Sequence, residues 1–230
     1  MDLTEAEQRF FWWDDDDLRA LADVARRIGA DAADLLLVLY CESGLRADAV
    51  ARNAQGFPVA VGLNQITSVA ARSMGIGEAE RIAMVGRPIR EQLPYVERYF
   101  LALPWRQAGH RFPTAAILYQ ANAAPGTLGR GTDPSLVLYR QGDGMYEGNA
   151  QLDFTHKGTV TLGDLAHVLE KNSKHSLYQA ALTRLQHVTS SASGPTIFQG
   201  DVTPTSALGP ILLGSAAAVF VGFLFTRGRG

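Results

Sequence analysis

Glu42 closes an apolar, helix-patterned stretch, Leu35-Leu-Leu-Val-Leu-Tyr-Cys-Glu42, and is followed at once by Ser43-Gly44. A carboxyl group carried into the core side of a helix end loses water. That loss disfavours the charged form and raises the pKa towards that of a working general acid, the group needed to protonate the bridging oxygen of a glycosidic bond. Two polar clusters downstream could complete a site around it, Gly62-Leu63-Asn64-Gln65 and Tyr119-Gln-Ala-Asn122. Asp48, six residues further on, is the nearest acid that could serve direct hydrolysis as a second carboxylate, but a loop acid is ordinarily solvated.

Other reactive types carry less. Cys41 is the only cysteine, which excludes an internal disulfide, and inside an apolar helix it reads as a small buried hydrophobe. The segment Asp153-Phe-Thr-His-Lys157-Gly158-Thr-Val160-Thr-Leu-Gly-Asp164 keeps the glycine turn, the apolar eighth place and the final carboxylate of a calcium-binding loop. Its third and fifth places hold Thr155 and Lys157, however, and an amine there repels a cation while offering its own charge to Asp153 or Asp164. The loop 153–164 therefore reads as a metal-free, degenerate EF-hand-like turn that still starts the helix after Thr161. The five histidines show no ligand-like spacing, so neither a metal nor another cofactor is expected.

The elements that must position these residues are helical. With 230 residues, 47% of them hydrophobic, the chain can bury one core. A formal net charge of −2, interspersed except for the run Asp14 to Asp17, leaves no footprint for nucleic acid. That acidic run caps a helix from about Leu18 to Ile28, stopped by Gly29, and a second helix follows to Glu42. Further helices are expected at about 63–74, 89–102, 112–122, 162–171 and 176–188. Residues 45–61 hold no sustained period and contain Gly56 and Pro58, so they read as a long connection lining the site. Strand-like alternation is scarce, and the expected class is mainly α.

The termini read differently. The aromatic cluster Phe10-Phe-Trp-Trp13 is flanked by acids, without the basic segment and apolar run of a cleaved export signal. Residues 1–188 form the expected domain, and 189–206, rich in Ser, Thr, Gly and Pro, form a flexible linker. Residues 207–225 carry no charge and as a helix would span about 28 Å, close to a bilayer core of about 30 Å. This predicts a single C-terminal transmembrane helix, with the small residues Gly214, Ala218 and Gly222 on one stripe, and hence a membrane-associated protein.

Glu42-Ser43, then Gly62-Leu63-Asn64-Gln65-Ile66, then Ala115-Ala-Ile-Leu-Tyr119-Gln120 resemble, in order, the three motifs of the lytic transglycosylase and goose-type lysozyme family. Gln92-Leu-Pro-Tyr95-Val-Glu-Arg-Tyr99-Phe100, Asp133-Pro-Ser-Leu-Val-Leu-Tyr139, Tyr146-Glu-Gly-Asn149 and Leu152-Asp153 are similar to versions of this domain in phage virion proteins. Together the resemblance covers about residues 30–170. The third motif reads Tyr-Gln-Ala-Asn here where the family usually has Tyr-Asn-Ala-Gly.

The resemblance implies a lysozyme-like helical domain that cleaves the bond between N-acetylmuramic acid and N-acetylglucosamine in peptidoglycan. Glu42 would be the acid and afterwards the base, with the substrate's acetamido group and muramic 6-hydroxyl replacing a second carboxylate and leaving a 1,6-anhydro product. Gln65 and Tyr119 match positions that contact the sugar or orient the acid, and Ser43 matches the residue that holds the turn after it. Asn64 lies within the second motif, and Asn53 is the candidate for an acetamido contact. The implied partners are glycan strands, the membrane through 207–225 and other virion proteins, and the implied setting is a virion membrane or host envelope during genome entry. Two alternatives stay open: a catalytically silent structural or glycan-binding component of a phage or secretion apparatus, and a lysozyme-type hydrolase.

Overall fold

The computed structural model describes residues 13–191, and about 57% of them are helical, in ten α-helices and two short 3-10 helices. Helix α1 (Asp15–Ile28) begins with a capping box in which Asp14 accepts from the Asp17 N–H at 2.7 Å and Asp17 accepts from the Asp14 N–H at 3.0 Å. It ends at Gly29, whose φ of 79° only glycine adopts without strain. Leu18, Leu21, Val24, Ala25 and Ile28 form its buried face.

Helix α2 (Ala32–Ser43), capped by Asp31, is the centre of the molecule. It packs against α1, α7 (Ala115–Ala123), α9 (Leu162–Ser173) and α10 (Ser176–Ser191). A helix walled on four sides has no solvent stripe, which is why Leu35 to Tyr40 are all buried and why the stretch is apolar all round. Helix α5 (Ile89–Ala102) lies against α1 and buries Ile89, Gln92, Leu93, Val96, Tyr99 and Phe100 at helical spacing. Short helices α3 (Ser68–Ser73), α4 (Glu78–Ile82), α6 (Pro104–Gln107) and α8 (Gly144–Glu147) fill the connections.

Residues 45–61 are not the expected irregular connection. They contain β1 (Val50–Arg52) and β2 (Pro58–Val61), which with β3 (Ile66–Thr67) make a three-stranded antiparallel sheet, Val50 opposite Val61 and Val61 opposite Ile66. Buried Arg81 pins this sheet by donating to Ile66 O at 3.1 Å and Pro58 O at 3.0 Å. A second antiparallel pair joins β4 (Val137–Arg140) to β5 (Thr159–Thr161). The helix expected at 63–74 is accordingly shortened to α3, because 62–67 form a turn and a strand.

The expectation of a fold with a C-terminal transmembrane helix is corrected. Among the described residues no helix is long and apolar enough to cross a membrane, and the segment 207–225 lies outside them. The stretch expected as linker starts as helix, since α10 continues to Ser191, and 192–206 also lie outside the described residues.

Candidate functional site

Glu42 stands in the last turn of α2, 2% exposed. Gly44, with φ 64°, ends the helix and its N–H donates to Tyr40 O at 2.8 Å. The next residue, Leu45, also has a left-handed backbone (φ 63°), and its carbonyl accepts from buried Trp13 Nε1 at 2.9 Å. The turn that sets Glu42 is thus held from outside by the N-terminal edge of α1.

Burial pushes the Glu42 carboxyl from its ordinary 4.5 up to about 8, while a hydrogen-bonding contact with Asn122 pulls it the other way. At neutral pH the group therefore keeps its proton. The titratable neighbours that bear on it are Cys41 beside it on α2, Tyr99 of α5, Tyr119 of α7 and Tyr139 of β4. Burial raises the pKa of all four, so they too are neutral around Glu42, and none is a carboxylate.

Asn122 ties the three motif segments together. Its Oδ1 accepts from Asn64 Nδ2 at 2.8 Å, and the contact with Glu42 joins both amides to α2. Two tyrosine hydroxyls hold the backbone under it: Tyr99 OH donates to Ala121 O at 3.0 Å and Asn122 O at 3.2 Å, and Tyr139 OH donates to Ala123 O. The last carbonyls of α7, which a helix leaves without intrahelical partners, are in this way satisfied from α5 and β4. Sequence reasoning named Asn122 only as a member of the Tyr119–Asn122 cluster and gave it no role of its own; its signal was a polar side chain one turn after Tyr119.

Asn64 and Gln65 sit in the tight turn between β2 and β3, buried at 2% and 8% exposure. Gln65 has φ 46°, unusual for a side chain other than glycine. Its Nε2 donates to Gly62 O at 2.9 Å and Ala49 O at 3.4 Å, which stabilises the turn. Gln92 organises the same region from α5: Oε1 accepts from the Leu63 N–H at 3.0 Å, and Nε2 donates to Ala47 O, Met84 O and Arg87 O.

The structure places the remaining candidates as follows. Ser43 is buried, with its hydroxyl turned back to Leu39 O at 3.1 Å. Tyr119 is fully buried on the face of α7 next to Cys41 and Glu42. Asn53 is exposed, and its Oδ1 is committed to the β1–β2 hairpin tip, accepting from the Gln55 and Phe57 N–H groups. Asp48 is exposed and paired with Arg46 at 3.0 Å, which holds its carboxyl below the ordinary range.

Among the described residues the buried side-chain oxygens without a hydrogen-bond partner within the protein include Glu42 Oε1, Asn64 Oδ1 and Gln65 Oε1, with Gln120 Oε1 and Asn149 Oδ1 elsewhere. Each costs about 1–3 kcal/mol if left so. The two amide oxygens suit the hydroxyl and amide N–H groups of a polar ligand, and the carboxyl beside them can give up a proton. In the 153–164 loop Lys157 Nζ bridges to Asp164 at 2.8 Å, while Thr161 and Asp164 form the capping box that starts α9. Among the described residues no group of three or more His, Cys, Asp or Glu side chains could hold a metal ion. No family model, curated protein or solved structure matches this chain.

Proposed function

We propose that the protein is a peptidoglycan lytic transglycosylase in which Glu42 is the single acid and base. The observation that carries this reading is a carboxyl group buried at the end of the central helix, where burial raises its pKa to about 8, in contact through Asn122 with the turn that holds Asn64 and Gln65. In the first step Glu42 protonates the oxygen between N-acetylmuramic acid and N-acetylglucosamine, and the substrate's acetamido oxygen stabilises the developing cation. In the second, Glu42 as carboxylate takes the proton of the muramic 6-hydroxyl, which closes the 1,6-anhydro ring. Each step moves one proton through one group, and a second carboxylate is not needed. Among the described residues the titratable groups that bear on Glu42 are one thiol and three tyrosines, which favours this over a two-carboxylate glycosidase. The resemblance of Gln92–Phe100, Asp133–Tyr139, Tyr146–Asn149 and Leu152–Asp153 to versions of the domain in phage virion proteins is the ground for proposing local opening of the cell wall during genome entry.

The test is digestion of purified sacculi by the full chain, read by mass spectrometry. Anhydro-ended muropeptides are expected, and Glu42→Gln should abolish their release while melting as cooperatively as the parent. Reducing-end products would replace this reading by a lysozyme-type hydrolase. A second reading, a silent glycan-binding component, draws on the 2% exposure of Glu42, and it is the outcome if glycan strands bind but are never cut.

A further inference from the structure

A neutral carboxyl group has two unlike oxygens, one that accepts and one that carries the proton. Which is which decides where an acid can deliver its proton, and something must set it. The bond from Asn64 Nδ2 occupies Asn122 Oδ1, the acceptor of that amide. The group left to approach Glu42 is then the Asn122 NH2, a donor only. A donor pairs better with the carbonyl oxygen of the neutral acid than with its hydroxyl, which is the poorer acceptor. Glu42 Oε1 has no partner within the protein, which leaves the other carboxyl oxygen as the one that the Asn122 amide approaches. Neither amide can drift, because both are buried and Tyr99 anchors the backbone of Asn122.

We propose that Asn64 and Asn122 form a two-amide positioning device for Glu42: Asn122 donates to one carboxyl oxygen and fixes the proton on the other, and Asn64 holds Asn122 in its donating orientation. Asn122 and Asn64 are thus positioning residues, the second acting only through the first. The bearing of this device on turnover rests on the acid role given to Glu42, but the geometry of the three side chains does not.

The test is a 13C NMR titration of the full chain labelled at glutamate carboxyls, with Glu42→Gln assigning the signal. Cys41, Tyr99, Tyr119 and Tyr139, the titratable groups that bear on Glu42, stay neutral through its midpoint, so that midpoint reports on the amides. Asn122→Ala should raise the midpoint by about one pH unit, the effect of one lost hydrogen bond to the charged form. Asn64→Ala should raise it by less, and should add nothing in the Asn122→Ala background. On sacculi, both variants should lower kcat with little change in KM. A midpoint unmoved in both folded single variants, or an Asn64→Ala shift that persists undiminished without Asn122, overturns the device. If Asn122→Ala does not fold, Asn122→Ser, which retains a donor, should keep the parental midpoint with Asn64 present, and a raised midpoint there counts against the proposal. Amide-dependent midpoints in a protein that never cuts sacculi would leave the device standing and remove the enzymatic reading; cutting with unmoved midpoints would do the reverse.

Discussion

Gly62 packs so closely on Gln92 that a Cβ added to it would stand 2.5 Å from Gln92 Oε1. That oxygen already accepts from Leu63, and the amide nitrogen is held by three carbonyls, so the side chain cannot swing away. Gly62 also has φ 72°. Gly62→Ala should therefore cost about 2 kcal/mol or more in chemical denaturation, from backbone strain and crowding together. Gln92→Ala should cost about 2–4 kcal/mol by leaving one buried N–H and several carbonyls unpaired.

Glu42 sets a conflict between stability and chemistry. Below about pH 4.5 the group is protonated in folded and unfolded chains alike and costs nothing. As pH rises from there the unfolded chain ionises while the folded one does not, and the stability this group allows is lost progressively until pH passes about 8. Each unit of separation is worth about 1.4 kcal/mol, so the whole loss is a few kcal/mol. Glu42→Gln cannot ionise and should melt at a higher temperature than the parent, with a gap that widens between pH 4.5 and 8 and is level beyond. A constant gap across that range would contradict the raised pKa.

The pH dependence of turnover follows from the same group. If protonation by Glu42 limits the rate, kcat on sacculi should hold at neutral pH and fall about tenfold per unit above about 8. Asp48→Asn should leave the profile and the rate unchanged, because Asp48 faces solvent and Arg46. A large loss in that variant would restore Asp48 as a second carboxylate.

Lys157 occupies the place of a cation in the 153–164 turn. Burial pushes the Asp164 carboxyl up, but Lys157 and Thr161 outweigh it and hold its pKa below the ordinary 3.8. Lys157→Met should lower stability at neutral pH by about 1 kcal/mol, a modest figure because the lysine side chain is 38% exposed. Since Asp164 is the group stabilised, the parent's advantage should vanish as pH falls below 3.8. Added calcium should not restore the loss in thermal melts.

The helices were legible where caps and periodicity agreed. The acidic run before Leu18, the Gly29 stop, and the Thr161–Asp164 box mark ends that local chemistry decides, and α5 falls at 89–102 as its apolar spacing predicts. The two sheets were not legible. Strands of two to four residues are too short to show alternation, and β4 meets β5 only after about twenty intervening residues. At the site, the burial of Glu42 could be read from its apolar flank, whereas the role of Asn122 depends on Asn64, 58 residues away, and no local pattern encodes that. The hairpin tip that Asn53 caps was not legible either, because a short polar residue in a glycine-containing loop serves a turn as readily as a ligand.

Arg184 of α10 donates to Trp13 O at 2.8 Å and to Asp15 Oδ1 at 2.7 Å, which brings the final helix against the first. The beginning and end of the described chain are therefore neighbours in space, although the gene sets them far apart. A circularly permuted version, with a short polar peptide bridging 191 to 13 and new ends opened at the exposed tip between Gln55 and Gly56, would preserve the helical packing around α2. Fusion partners added at those new ends would emerge from the tip of the β1–β2 hairpin.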